Sequence, residues 1–276
     1  MKFVVRYLLS KEKAMNGPDK YGEMDMQEEQ ELRRHILDLA NRCYQSNVYT
    51  YSAFFGMGDQ AVFHAMEHEV SFVPWMLFGG SGDCERRILR FGSPEMLGYE
   101  EDFPIRCLIV RPRIQKFADA LTHRDFLGAL MNLGVERDVL GDIVVRDQAA
   151  YVFCEDTMAE YLQEHLDRVK HTGVICEITD ECPDAAQPEF SAQELVVSSG
   201  RCDAVVAKVY QLSRSRSIQL FQSKRIFVNG RQFENNSGSL KPGDVVSVRG
   251  FGRFIFDGWL SETKKGRIRV RIRKYI

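Results

Sequence analysis

Ser213-Arg214-Ser215-Arg216 stands directly after a break in apolar periodicity, at the start of a predicted helix carrying Ile218, Leu220 and Phe221. Ser213 is well suited to cap that helix. Arg214 and Arg216 then fall in its first turn, where the macrodipole and the free N–H groups already present positive charge. Each cation there is unfavourable by roughly 0.3–1 kcal/mol. A helix start built from Ser and Arg makes physical sense when a phosphate rests on it. The plainer alternative is that both side chains splay into solvent, where screening makes their cost small.

A second cationic pattern closes the chain. Arg267, Arg269, Arg271 and Arg273 alternate with Ile268, Val270 and Ile272. On a strand this sets four guanidinium groups on one face, about 6.6 Å apart, with the apolar side chains toward a core. Lys264 and Lys265 lie in the approach turn. One or two charges suffice to guard an edge strand against aggregation. Four groups able to bind phosphate bidentately point instead to a surface that reads a backbone.

Catalytic and metal chemistries find less support. His123-Arg124-Asp125 is spelled like a kinase catalytic loop, but Leu130 stands where that loop needs Asn, and no glycine-rich loop or D-F-G is present. His64 and His68 share a helix face, yet Ala65 follows His64, so the H-E-x-x-H zinc pattern fails. The seven cysteines are scattered without a C-x-x-C pair, and His171, Cys176 and Cys182 lack a fourth ligand at a usual interval. No metal and no cofactor is therefore expected. Gly79-Gly80-Ser81-Gly82-Asp83 lacks the phosphate-loop signature and reads as a connecting loop.

The elements that must position these residues follow from periodicity. Met26 to Tyr44 is an amphipathic helix through Leu32, Ile36, Leu39, Ala40 and Cys43. Gly58-Asp59 precedes a second helix, Ser71 to Phe78 reads as a strand, and Cys84 to Phe91 reads as a helix bearing Arg86, Arg87 and Arg90. From Ile105 to Ile178 the order is strand, helix, strand, strand, helix, strand, with Thr122 capping the first helix and Gly134 closing it. That order is the ferredoxin-like arrangement shared by RNA-recognition domains, although their aromatic stacking motif is missing. Residues 201–249 read as helix, break, helix, strand, the Asn229-Gly230 hairpin turn, and strand.

The fold class expected is α+β: a mixed N-terminal region over 1–98, a ferredoxin-like domain over 99–180, an acidic linker over 181–193 and a small basic domain over 194–276. The net charge of −2 conceals a sharp partition. Residues 196–276 hold 17 Lys and Arg against 5 Asp and Glu, and the first 195 residues hold 20 against 34. A basic module that meets a polyanion, joined to an acidic body, is the reading this favours. Docking of the two halves on each other is the alternative. No apolar run approaches 18 residues, so no membrane span is expected.

Arg201-x-Asp203, Ser213-Arg214-Ser215-Arg216, Val228-Asn229-Gly230 and Lys241-Pro242-Gly243-Asp244, in that order, resemble the S4 RNA-binding module. Cys202 stands where that module usually has Leu, and Lys224 where a helix-ending Gly is common. LTHRDFLGALMNLGVERDVLGDIVV and the closing VSVRGFGRFIFDG and TKKGRIRVRI resemble the YlmH family of S4-type RNA-binding proteins, over a span from about Ser71 to the C-terminus. Ser52-Ala53-Phe54-Phe55-Gly56 departs from the family pattern.

The resemblance implies a bacterial cytoplasmic protein that binds structured RNA, rRNA first and tRNA second, on the large ribosomal subunit. It links the chain to rescue of stalled subunits carrying peptidyl-tRNA and to cell division. A monomer with no DNA partner is expected. Candidate RNA contacts are Arg201, Ser213, Arg214, Ser215, Arg216, Gln219, Lys224, Arg225, Asn229, Arg231, Arg249, Arg253, Lys264, Lys265, Arg267, Arg269, Arg271 and Arg273, with His123 and Arg124 as a secondary contact. The competing reading is an RNA-modifying enzyme, because Gly200-Arg201-Cys202-Asp203 is similar to the G-R-L-D site of pseudouridine synthases. No second catalytic block follows it, so a non-catalytic binder is favoured. A third reading is an adaptor whose acidic half recruits proteins.

Overall fold

A computed structural model describes residues 26–179, 182–263 and 266–275. Three antiparallel sheets, each backed by helices, give an α+β architecture. No helix among the described residues is long and apolar enough to cross a membrane.

The N-terminal helix α1 (Met26–Ser46) carries Glu28 and Glu29 in its first turn and buries Leu32, Ile36, Leu39, Ala40 and Cys43. It covers β1 (Thr50–Phe55), α2 (Met57–Met66), β2 (Trp75–Phe78) and β3 (Arg87–Phe91), in a sheet of order β1-β3-β2. A short α3 (Pro94–Leu97) follows, capped by Ser93. The helix expected over Cys84 to Phe91 is thus a strand, and the strand expected from Ser71 begins only at Trp75. Ile88, Leu89 and Phe91 are fully buried in the central strand of the sheet. Tertiary burial overrides the helical spacing of the arginines.

The middle region runs β4 (Ile105–Pro112), α4 (His123–Asn132), β5 (Leu140–Arg146), β6 (Ala149–Glu155), α5 (Asp156–His165), β7 (Arg168–Val169) and β8 (Thr172–Thr179). Its sheet has the order β5-β6-β4-β8-β7. The β5–β6 turn places Asp147 and Gln148 at φ 50° and 63°, the left-handed pair that a two-residue hairpin demands. Alternation along β4 sends Leu108 and Val110 to the helix side, against Phe126, Leu130 and Leu162. Ile105 and Cys107 point the other way, where with Tyr151 and Phe153 they meet Phe54 and Ile88 of the N-terminal sheet.

The C-terminal region comprises β9 (Phe190–Val197), α6 (Cys202–Val209), α7 (Arg214–Gln222), β10 (Ile226–Val228), β11 (Arg231–Gln232), β12 (Asp244–Val248), β13 (Gly252–Glu262) and β14 (Ile268–Tyr275). The sheet order is β11-β10-β12-β13-β14-β9. Residues 190–193, expected in the linker, are already strand, because β9 pairs along the whole of β14. One core lies between this sheet and its helices: Val205, Val206, Leu220 and Phe221 pack on Val246, Phe254, Phe256, Val270 and Ile272.

The regions touch at defined points. The Glu85 and Arg86 amides donate to the Asp142 carboxylate at 2.6 and 3.0 Å, tying the N-terminal sheet to β5. Arg231 donates to the Ala61 carbonyl at 3.0 Å, and Arg253 pairs with Glu85. At Gly230 (φ 76°) a Cβ would lie 2.5 Å from the Gly58 nitrogen, so the β10–β11 turn sits hard against the start of α2. Docking of the two halves on each other therefore does occur, and it uses two cations expected to contact RNA.

Candidate nucleic-acid interface

At the entrance of α7, Ser213 accepts a hydrogen bond from the Arg216 amide at 3.2 Å, as an N-cap should. Its hydroxyl also lies 3.1 Å from that of Ser215. The Arg214 and Ser215 amides have no intrahelical acceptor. Arg214, Ser215 and Arg216 are all exposed, no acid occupies the first turn, and Arg216 reaches Gln219 at 3.3 Å. Beside this entrance lies a groove of ≈ 570 Å³, lined in part by Ser198, Ser199, Arg201, Lys208, Gln211 and Arg214. Donors and cations thus converge on one concave surface suited to phosphate oxygens.

Both helices that shape the groove end in Schellman closures without glycine. Gln211 (φ 53°) and Lys224 (φ 55°) take the left-handed position. The Leu212 amide then donates to Ala207 at 2.8 Å and the Arg225 amide to Leu220 at 2.9 Å. Lys224 therefore ends α7 in the glycine conformation without being glycine. Ser217, fully buried, donates to the Asp203 carbonyl at 2.8 Å and fixes α7 on α6.

Arg201 and Asp203 form a bidentate pair, at 3.0 and 2.8 Å, with Asp203 only 1% exposed. The Asp203 carboxylate also accepts from Asn236 at 3.4 Å. Other candidates are engaged within the protein. Arg225 donates to the Arg249 carbonyl at 2.6 Å, and the Arg249 guanidinium lies 4.5 Å from the Phe227 ring centre. Lys224 pairs with Glu234 at 3.4 Å. Asn229 clamps the turn to β12, donating to Asp244 at 2.8 Å and accepting from the Val245 amide at 2.9 Å. Arg231 and Arg253 face the N-terminal region, as described above.

The arginine stripe departs furthest from expectation. Val270 and Ile272 point into the core shared with α6 and α7, so Arg269, Arg271 and Arg273 project from the opposite face of the sheet. The α7 entrance and the stripe do not form one grip. The stripe is also partly paired: Arg271 meets Glu194 at 3.0 Å, Arg269 meets it at 4.0 Å, and Arg273 meets Asp257 at 3.0 Å. Arg267 is exposed and makes no ion pair among the described residues. Lys264 and Lys265 lie outside the described residues. Because β14 lies between β13 and β9, the stripe does not guard an edge either.

His123 and Arg124 are exposed at the start of α4. The Asp125 carboxylate accepts from the Thr122 amide at 2.8 Å and pairs with Lys170 at 2.8 Å. Lys170, and then Thr122, hold that carboxyl down to about 2. The kinase-like triplet is thus a capping box. Not expected from the sequence were Ser198 and Ser199, just before α6, and Lys208 in its last turn, all of which line the groove. Glu194 and Asp257 were not expected either, because no local pattern announces their cross-strand register.

Comparison with known proteins places this sequence beside a family model, a curated relative and a solved structure. Residues 99–181 match the family model described as "Putative RNA-binding domain in YlmH". Over 198 residues, 71% of this chain and 76% of the other, the sequence is 32% identical to "Ribosome-associated protein quality control protein P2" of Bacillus subtilis (strain 168). A solved structure titled "Cell division protein ylmH from Streptococcus pneumoniae" aligns at 16% identity with TM-score 0.44, covering 58% of this chain and 96% of that one.

Proposed function

The chain belongs to the YlmH family of RNA-binding proteins, and from that premise we propose that it is a non-catalytic binder of structured rRNA and tRNA. In this reading it docks on the large ribosomal subunit during quality control of stalled translation, as a monomer in the cytoplasm. The observation that carries it is the α7 entrance, where a serine cap, unpaired amides and two exposed arginines open onto a cationic groove. We read residues 194–276 as an S4 module with a β extension, supported by α6 and α7 packed at right order before the β10–β11 turn. The order β5-β6-β4-β8, with a helix in each crossover, supports a ferredoxin-like reading of residues 99–180.

The contact set in this reading is Ser213 to Arg216 with Gln219, Lys208 and the groove face of Arg201. Arg225, Asn229, Arg231, Arg249 and Arg253 hold the module together or dock it on the body. The stripe from Arg267 to Arg273 forms a separate cationic face. Replacing Arg214→Glu together with Arg216→Glu should abolish co-sedimentation with large ribosomal subunits while circular dichroism stays native. Wild-type co-sedimentation of that variant would refute the docking site. Turnover or base modification of RNA by the purified protein would favour the RNA-modifying alternative.

A further inference from the structure

The sheet of the middle region does not present an open face. RNA-recognition domains present their sheet to bases. Here that face is covered, because Ile105, Cys107, Tyr151 and Phe153 are packed under Phe54 and Ile88. Only the β8 margin stays open, with Ile175 49% exposed and Arg111 paired to Glu177.

Charge on the same region is strongly polarised. Residues 111–125 and 168–173 hold six Lys and Arg against two Asp, whereas the remainder of 99–179 holds three against thirteen acids. The fold gathers those two segments at one end. The Arg113 amide donates to the Gly173 carbonyl at 2.9 Å, Thr172 bonds Asp119 at 3.1 Å, and Lys170 meets Asp125 at 2.8 Å. Arg113, Arg124, Arg168, Lys170, His123 and His171 are all exposed there. One of the two acids, Asp125, is occupied by Lys170 and the Thr122 cap, so the rim presents net positive charge outward.

We propose that this rim, formed by the start of α4 and the β7–β8 hairpin, binds the phosphate backbone of RNA as a second contact beside the α7 entrance. The proposal rests on the RNA-binding reading above and adds where the middle region would meet the ligand. Exposed Arg, Lys and His side chains such as these contact phosphates and carry no base specificity. The acidic remainder of the region would face away from the RNA.

The test measures binding of the full chain to a fluorescein-labelled RNA stem-loop with single-stranded flanks, across a salt series. Arg124→Glu with Arg168→Glu should weaken binding about tenfold and lower the salt slope by about 2, with the neutral pair Arg124→Gln and Arg168→Gln intermediate. The same charge change on α1, Arg34→Glu with Arg42→Glu, should leave both unchanged. Unchanged affinity and slope in either folded rim variant would overturn the proposal and leave the rim as a protein-facing surface. An equal loss in the α1 variant would overturn it too, as a generic charge effect. Loss in the Arg214→Glu, Arg216→Glu protein alone would sink the rim and spare the entrance, whereas full affinity in every variant would sink both.

Discussion

Asp203 is buried with its charge answered by one guanidinium and one amide, so its removal exposes how the start of α6 is held. Asp203→Ala should cost about 2 kcal/mol, because a buried hydrogen-bonded pair loses one member while Arg201 can still reach water. A urea midpoint unchanged from wild type would contradict this. Arg201 was expected as an RNA contact from its type and its neighbours. The bidentate bond to a residue two positions away gives it a structural role that spacing alone did not reveal. Ser213 differs: cap preference is local, so its role could be read directly from the sequence. Asn229 lies between these cases, since its turn was legible but the clamp on Asp244 depends on pairing across the sheet.

At the scale of elements, the closures of α6 and α7 are the informative feature. Lys224 holds a left-handed conformation that costs a non-glycine residue about 1–2 kcal/mol. Lys224→Gly should therefore stabilise the protein by roughly 0.5–1 kcal/mol, after allowing for the greater freedom of glycine in the unfolded chain. A lower melting temperature in that variant would show that Lys224 contributes more through Glu234 than its backbone costs. Elements with a clear period and a cap were legible, including α1, α4 and the β10–β11 hairpin. The strand over Arg87–Phe91 was not, because its arginines stand at helical spacing while burial on both faces decides the outcome. The arginine stripe shows a further limit. Alternation gave its face correctly, but which face the helices would cover is a property of the whole sheet.

For the whole molecule, charge partition gave the broad outline and the structure gives it direction. The basic C-terminal region docks on the acidic body through Arg231, Arg253 and the turn at Gly230, and of these Arg253 projects from the face of the sheet opposite α6 and α7. Ion pairs with Glu194 and Asp257 are exposed enough to be worth little individually, yet they reduce the net charge that the stripe offers. The most direct measurement is ultraviolet crosslinking of the protein to RNA in cells, with the crosslinked peptides identified by mass spectrometry. Crosslinks to ribosomal RNA should concentrate between Ser198 and Gln219, around the entrance and its groove. Crosslinks confined to the β14 face, or none above background, would contradict the account.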